Sequence, residues 1–199
     1  DGARGGEIIL MTRENDRLSG TLKGRGLLSA QGDGSAGSGG FIETSAASVN
    51  LNGIRVKTNG GNWLIDPFLD YTIAPTGGDI TGADLGLALE STDVTHSWNE
   101  GGTSGHGKIL VKDDITWSST HGLTLIAETD IVINNPISGV NGFLFLTAGT
   151  YVTGGQVTQA APITVDRLKL LGGSGASYIL TNSGNNINAL AGNFGSLDF

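Results

Sequence analysis

Leu123-Thr124-Leu125-Ile126-Ala127 is followed by Phe143-Leu144-Phe145 and then by Ile163-Thr164-Val165. Leu123, Phe143 and Ile163 stand 20 residues apart (143 − 123, 163 − 143), and so do Leu125, Phe145 and Val165. Ile131, Tyr151 and Leu171 take the same step on what reads as a second strand. Three apolar columns in phase predict a fold that adds one coil per repeat and piles equivalent positions into ladders inside. A β-sandwich has no reason to hold one fixed period. A parallel β-helix does.

Outward from this stretch, helical periodicity is nearly absent and alternation is general. Val49/Leu51, Ile54/Val56, Leu85/Leu87/Leu89, Ile109/Val111 and Ile131/Ile133 each place apolar residues on one side of a short strand. Asn52-Gly53, Asn59-Gly60, Asn141-Gly142, Gly154-Gly155 and Gly172-Gly173 lie between such strands as turn signals. In the N-terminal half, Gly5-Gly6-Glu7-Ile8 returns as Gly39-Gly40-Phe41-Ile42, an offset of 34 (39 − 5). The expected architecture is all-β, a single parallel β-helical segment over residues 1–199 with loop excursions at 31–38 and 92–107. With ~20 residues per coil and ~4.8 Å between coils, the rod would be about 40–50 Å long.

Composition agrees with such a scaffold. Of 199 residues, 34 are Gly, 38% are hydrophobic and 15% are charged, which is too apolar and too weakly charged for a disordered chain. The net charge of −8 repels phosphate backbones and anionic headgroups, so neither nucleic acid nor a membrane surface is expected as partner. No apolar run approaches the ~20 residues of a membrane span, so the chain is not expected to be membrane-embedded. The absence of Cys excludes disulfides and thiolate metal sites. Asp1 opens the chain without Met or a basic leader, and Leu197-Asp198-Phe199 closes it within an alternating pattern. Both features suggest a piece of something longer.

Gly39-Gly40-Phe41-Ile42-Glu43-Thr44-Ser45, then Val49-Asn50-Leu51, then Trp63-Leu64-Ile65-Asp66-Pro67 and Tyr71-Thr72-Ile73 form a pattern in their own right. It resembles filamentous-haemagglutinin-type exoproteins of two-partner secretion systems, including the high-molecular-weight adhesins. Asp114–Ser119, Leu123–Ala127 and Asp130–Asn134 also fit, so the resemblance covers roughly residues 1–175. It implies a right-handed parallel β-helix and export by an outer-membrane partner transporter of a Gram-negative cell. It also implies a virulence-associated role in cell adhesion, by contact with a host or cell-surface protein or glycan receptor. The family's secretion domain carries Asn-Pro-Asn, whereas Asn135-Pro136 is the sole Asn-Pro here, which implies a passenger region. Gly39, Gly40, Phe41, Trp63, Asp66 and Pro67 then read as structural. Trp63 would fill a corner, with Asp66 and Pro67 shaping the turn after it.

Candidate chemistry is sparse. Gly105-His106-Gly107 and Asp113-Asp114 are similar to polygalacturonase motifs, but their order is reversed and the companion motifs are missing. Neighbouring carboxylates on a strand face opposite ways, whereas glycoside hydrolysis needs two that face each other at ~5–10 Å. His96, His106 and His121 share no metal-ligand spacing and read as solvated turn residues. The calcium-binding nonapeptide, the phosphate-binding loop and the nucleophile elbow are all absent. No catalytic residue, metal or cofactor is expected. The leading expectation is an adhesive filament segment, with His96, Trp98 and Asn99 of the second excursion as candidate partner contacts. A β-helical polysaccharide lyase or hydrolase is the alternative class, and the stalk of a contact-dependent toxin-delivery exoprotein a closer variant.

Overall fold

The structure is a computed structural model that describes residues 3–33, 38–97, 107–150, 154–172 and 175–199. It is a parallel β-solenoid of about six turns. Its first face stacks the strands Glu7–Met11, Phe41–Ala46, Gly61–Pro67, Thr92–His96, Gly122–Ile126, Ile137–Ala148, Ile163–Gly172 and Asn186–Asn193 in chain order. All of these pairings are parallel. A second face stacks Tyr71–Ile73, Ile109–Val111, Ile131–Ile133, Gln156–Gln159, Ser177–Ile179 and Ser196–Asp198. A third runs through Ile115–Trp117, which pairs with Ile137 to Gly139 and through them with Ile163 to Val165.

Alternation decides what faces inward. On the first face one interior column reads Ile8, Ile42, Trp63, Val94, Leu123, Leu144, Leu168 and Leu190. Two residues further along each strand a second column reads Leu10, Thr44, Ile65, His96, Leu125, Leu146, Leu170 and Gly192. From Ile42 to Leu170 every member of both columns is buried. The steps along the first column are 34, 21, 31, 29, 21, 24 and 22 residues. The expected offset of 34 is therefore present at the first coil, but the 20-residue columns are not. Leu123 pairs with Leu144, and Phe143 with Gly122. A one-residue error in step exchanges the two sides of a strand, so Phe143 and Phe145 lie outside. Ile163 and Val165 are buried, but in the third face above Ile137 and Gly139. On the second face Ile131 meets Val157 and then Tyr178.

Leu85, Leu87 and Leu89 are not a strand. They belong to the helix Gly82–Leu89, which packs between Ile54–Lys57 and Ile115–Trp117 in the place of a third-face strand. Leu85 and Leu89, one helical turn apart, are buried, while Leu87 is 54% exposed. The helix is capped by Thr81, whose Oγ1 accepts from the Asp84 amide. It lies unusually close to the strand above: a Cβ on Gly82 or Gly86 would come within 2.2 Å of Asp114 O or 2.3 Å of Thr116 O. Glycine at both positions lets a helix occupy a slot cut for a strand.

The first excursion is anchored where it begins and ends. Asp33 donates its amide to Ala3 O, and Ser38 O accepts from the Gly5 amide; residues 34–37 lie outside the described residues. A short antiparallel hairpin, Arg13–Glu14 with Arg17–Leu18, leaves the first coil. Its Asn15-Asp16 turn has φ of 49° and 62°, the left-handed pair that a two-residue hairpin loop requires. The second excursion begins later than expected, because Thr92–His96 is a strand of the main sheet.

Candidate functional site

His96 was expected on a solvent-facing loop. Instead the alternation Thr92, Val94, His96 carries its ring into the core, between Ile65 below and Leu125 above. It is 1% exposed, and its ring stacks on Tyr71 with centroids 4.3 Å apart. Neither imidazole nitrogen, nor the Tyr71 hydroxyl, makes a hydrogen bond among the described residues. Burial lowers the His96 pKa to about 3, so the ring is neutral at pH 7. Burial, reinforced by the negative charge of Asp79, also holds the Tyr71 phenol well above its ordinary value. A neutral, enclosed imidazole is part of the core rather than of a contact surface. Trp98, Asn99 and His106 lie outside the described residues.

The glycine motif is a backbone stack. Gly6, Gly40 and Gly61 occupy successive coils immediately before the paired residues Glu7, Phe41 and Asn62. A Cβ on Gly61 would lie 1.9 Å from Gly40 O, and one on Gly40 2.0 Å from Ala30 O. Gly39 is equally tight, 2.0 Å from the Gly61 amide. Phe41 starts the strand on its outer side. Trp63 is fully buried and donates Nε1–H to Thr44 Oγ1 at 3.1 Å, in the coil below. Asp66 and Pro67 do not form the turn expected of them. They remain in the strand, paired with Ser45 and Ala46, and the chain bends at Phe68 and Leu69.

The carboxylates hold coils together. Asp93 Oδ1 accepts the Gly122 amide at 2.8 Å and lies 3.1 Å from His121 Nδ1. Asp130 Oδ1 accepts the Gln156 amide at 3.0 Å, and its Oδ2 is 3.2 Å from Lys108 Nζ. Asp70 accepts the Lys108 amide at 3.0 Å, and Asp79 the Thr72 amide at 2.7 Å. Asp113 Oδ2 receives the Gly82 amide at the start of the helix, while Asp114 Oδ1 receives Asn135 Nδ2, both at 2.8 Å. The Asp113-Asp114 pair thus diverges to two structural tasks. Among the described residues no group of three His, Asp or Glu is arranged to hold a metal ion.

The outer side of the first face has a feature that the 20-residue reading concealed. Its outward columns run Asp93, Gly122, Phe143, Arg167, Ala189 and, two residues along, Thr95, Thr124, Phe145, Lys169, Ala191. Arg167 Cζ lies 5.7 Å from the Phe143 ring centroid, and Lys169 Nζ 4.9 Å from that of Phe145. Phe143 leans back over Gly122, where any Cβ would meet its ring at 2.0 Å. The two cations, the two rings and the short Ala189 and Ala191 line a trough of about 420 Å³. The matching alternation of Phe143/Phe145 and Arg167/Lys169 was present in the sequence, but only the true step brings it together.

These features define a parallel β-solenoid whose polar groups mostly serve its own coils. Compared with protein-family models, curated proteins and solved structures, the chain matches none.

Proposed function

We propose that the chain is a length of the exported filament of a Gram-negative surface adhesin, which extends and presents a lateral surface and performs no catalysis. The observation that carries this reading is the employment of the acidic side chains. Asp70, Asp93, Asp113 and Asp130 each accept a main-chain amide of another coil and Asp79 one within its own, which leaves them as fasteners of the scaffold rather than as a facing acid and base. The motifs Gly39–Ser45 and Trp63–Pro67, similar to those of two-partner-secreted exoproteins, add export by an outer-membrane partner and display at the cell surface. A solenoid suits that task because stacked coils give reach without a closed pocket, and weak contacts repeated along one side sum to firm attachment.

The test is attachment. Beads coated with the purified chain should bind host or bacterial cells saturably, and the soluble chain should compete. Incubation with polyuronates and neutral polysaccharides should release neither reducing ends nor unsaturated products. Sustained product release would replace the adhesin with the lyase or hydrolase class. Absence of attachment to every cell type tried would remove the adhesive reading.

A further inference from the structure

We infer that the trough on the outer side of the first face is a docking site for an extended acidic peptide segment with carboxylates at alternate positions. The inference rests on the adhesive reading for its biological use and names the surface that makes contact. Its first support is charge placement. Arg167 and Lys169 are the only cationic residues after Lys112 in a chain of net charge −8, and both stand in this trough. They are not part of a diffuse basic surface.

The second support is spacing. Arg167 and Lys169 are alternate residues of one strand, so their Cα atoms are about 6.6 Å apart. Any extended peptide laid along that strand presents its side chains i and i+2 at the same interval. Two Asp or Glu residues at that spacing meet both cations at once. A pyranose chain has no reason to share the repeat of a β-strand.

The third support is the character of the walls. Phe143, Phe145, Ala189 and Ala191 are apolar, and no amide or hydroxyl side chain lines the trough. Sugar hydroxyls would find donors in Arg167 and Lys169 but no side-chain acceptor. The methylenes of Glu, or an aliphatic neighbour, need only the rings and the short alanines. The cations are available to different degrees. Arg167 is shared with Asp166, 3.4 Å away, whereas Lys169 makes no ion pair among the described residues and rests on Phe145 alone. A carboxylate arriving at Lys169 becomes its first anionic partner, and one at Arg167 competes with an exposed, weak pair.

The test titrates the whole chain with three probes of equal charge. These are a capped peptide alternating Glu and Val, a peptide of the same composition with its Glu residues contiguous, and an oligogalacturonate. The alternating peptide should bind saturably and more weakly as salt rises. Binding should fall roughly fivefold or more in R167Q/K169Q and also in Ala189→Glu, which places a like charge in the trough. All three substitutions are at exposed positions, and an unchanged thermal transition verifies folding. Arg55→Gln/Lys57→Gln, a second alternating cation pair beside Leu87, should bind like the parent chain. Four results would overturn the proposal: no saturable binding of the alternating peptide, undiminished binding by R167Q/K169Q, equal loss in the Arg55/Lys57 variant, or equal binding of the contiguous peptide. Tighter binding of the oligogalacturonate would overturn it too, by giving the trough to anionic glycans. Cell attachment measured on the same proteins separates the two readings. Attachment that survives R167Q/K169Q removes only the trough from adhesion, while peptide binding without attachment to any cell removes only the adhesin.

Discussion

The coils before Ser97 and those after Gly107 continue the same two stacked faces but fill the space behind them differently. In the earlier coils the second interior column of the first face is Thr44, Ile65 and His96, and Ser45, Thr58 and Thr92 are also buried. Thr58 Oγ1 binds both Thr92 Oγ1 and the Gly61 amide, and Thr44 Oγ1 receives Trp63 Nε1. In the later coils the same column is Leu125, Leu146 and Leu170. The first arrangement relies on directed hydrogen bonds between particular partners, the second on dispersion and the exclusion of water. The tyrosines of the second face reverse the contrast. Tyr178 donates its hydroxyl to Leu146 O at 3.1 Å and also reaches Leu171 O, and burial pushes its pKa up to about 12. Tyr71 makes no such bond. A parallel solenoid tolerates either filling because its main-chain ladder is satisfied between coils whatever lies inside.

The largest effect on this comparison should come from the glycine stack of the earlier coils. Gly61→Val drives a branched side chain into the main chain of the coil below, and the N-terminal coils should fail to form. The expected loss is at least about 4 kcal/mol, read as a missing early transition in denaturant unfolding. Retention of the parent transition would show that the stack can open, and that the 1.9 Å approach is not a constraint.

Acid should separate the two regions next. The folded-state pKa of His96 is depressed to about 3, from an ordinary value of 6.5. Between those values the unfolded chain binds a proton that the folded chain refuses, so stability falls as pH drops from about 6.5 towards 3. The difference amounts to about 5 kcal/mol across the window. Denaturation midpoints at pH 7 and pH 4 should therefore diverge in the parent chain and converge in His96→Leu. An acid dependence unchanged by that substitution would assign the effect elsewhere.

The dry column should respond to volume. Leu146→Ala removes a fully buried side chain between Leu125 and Leu170, at an expected cost of about 2–4 kcal/mol by chemical denaturation. Thr44→Val should cost less, about 1–2 kcal/mol, chiefly because Trp63 Nε1–H loses its acceptor. If Thr44→Val proves the costlier of the two, directed bonds outweigh packing even in this fold.

The fold was more legible than its surface. Alternation, turn glycines and the 34-residue offset from Gly5-Gly6 to Gly39-Gly40 all read through to the parallel stack. Trp63 reads from the sequence as a corner filler, whereas it stands in mid-strand over Ile42. The helix was not legible, since Leu85, Leu87 and Leu89 at a spacing of two mimic a strand. What betrays it is the Thr81-to-Asp84 cap and the four-residue interval from Gly82 to Gly86, signals too short to outweigh an alternating run. His96 reads as exposed from its polarity, whereas the strand continuing from Thr92 turns its side chain inward. The trough is hidden in the sequence because a step of 20 places Phe143 and Phe145 inside.

Sequence alone determined the class of structure, because short alternating strands separated by glycine turns can satisfy their main chain only by pairing, and a recurring pattern makes that pairing a stack. It could not set the step of each coil. Turns and excursions lengthen or shorten without disturbing alternation, and a change of one residue reverses every side chain beyond it. Only the tertiary structure decided that Leu144 sits over Leu123, that the imidazole of His96 is enclosed, and that two phenylalanines and two cations meet on the outside.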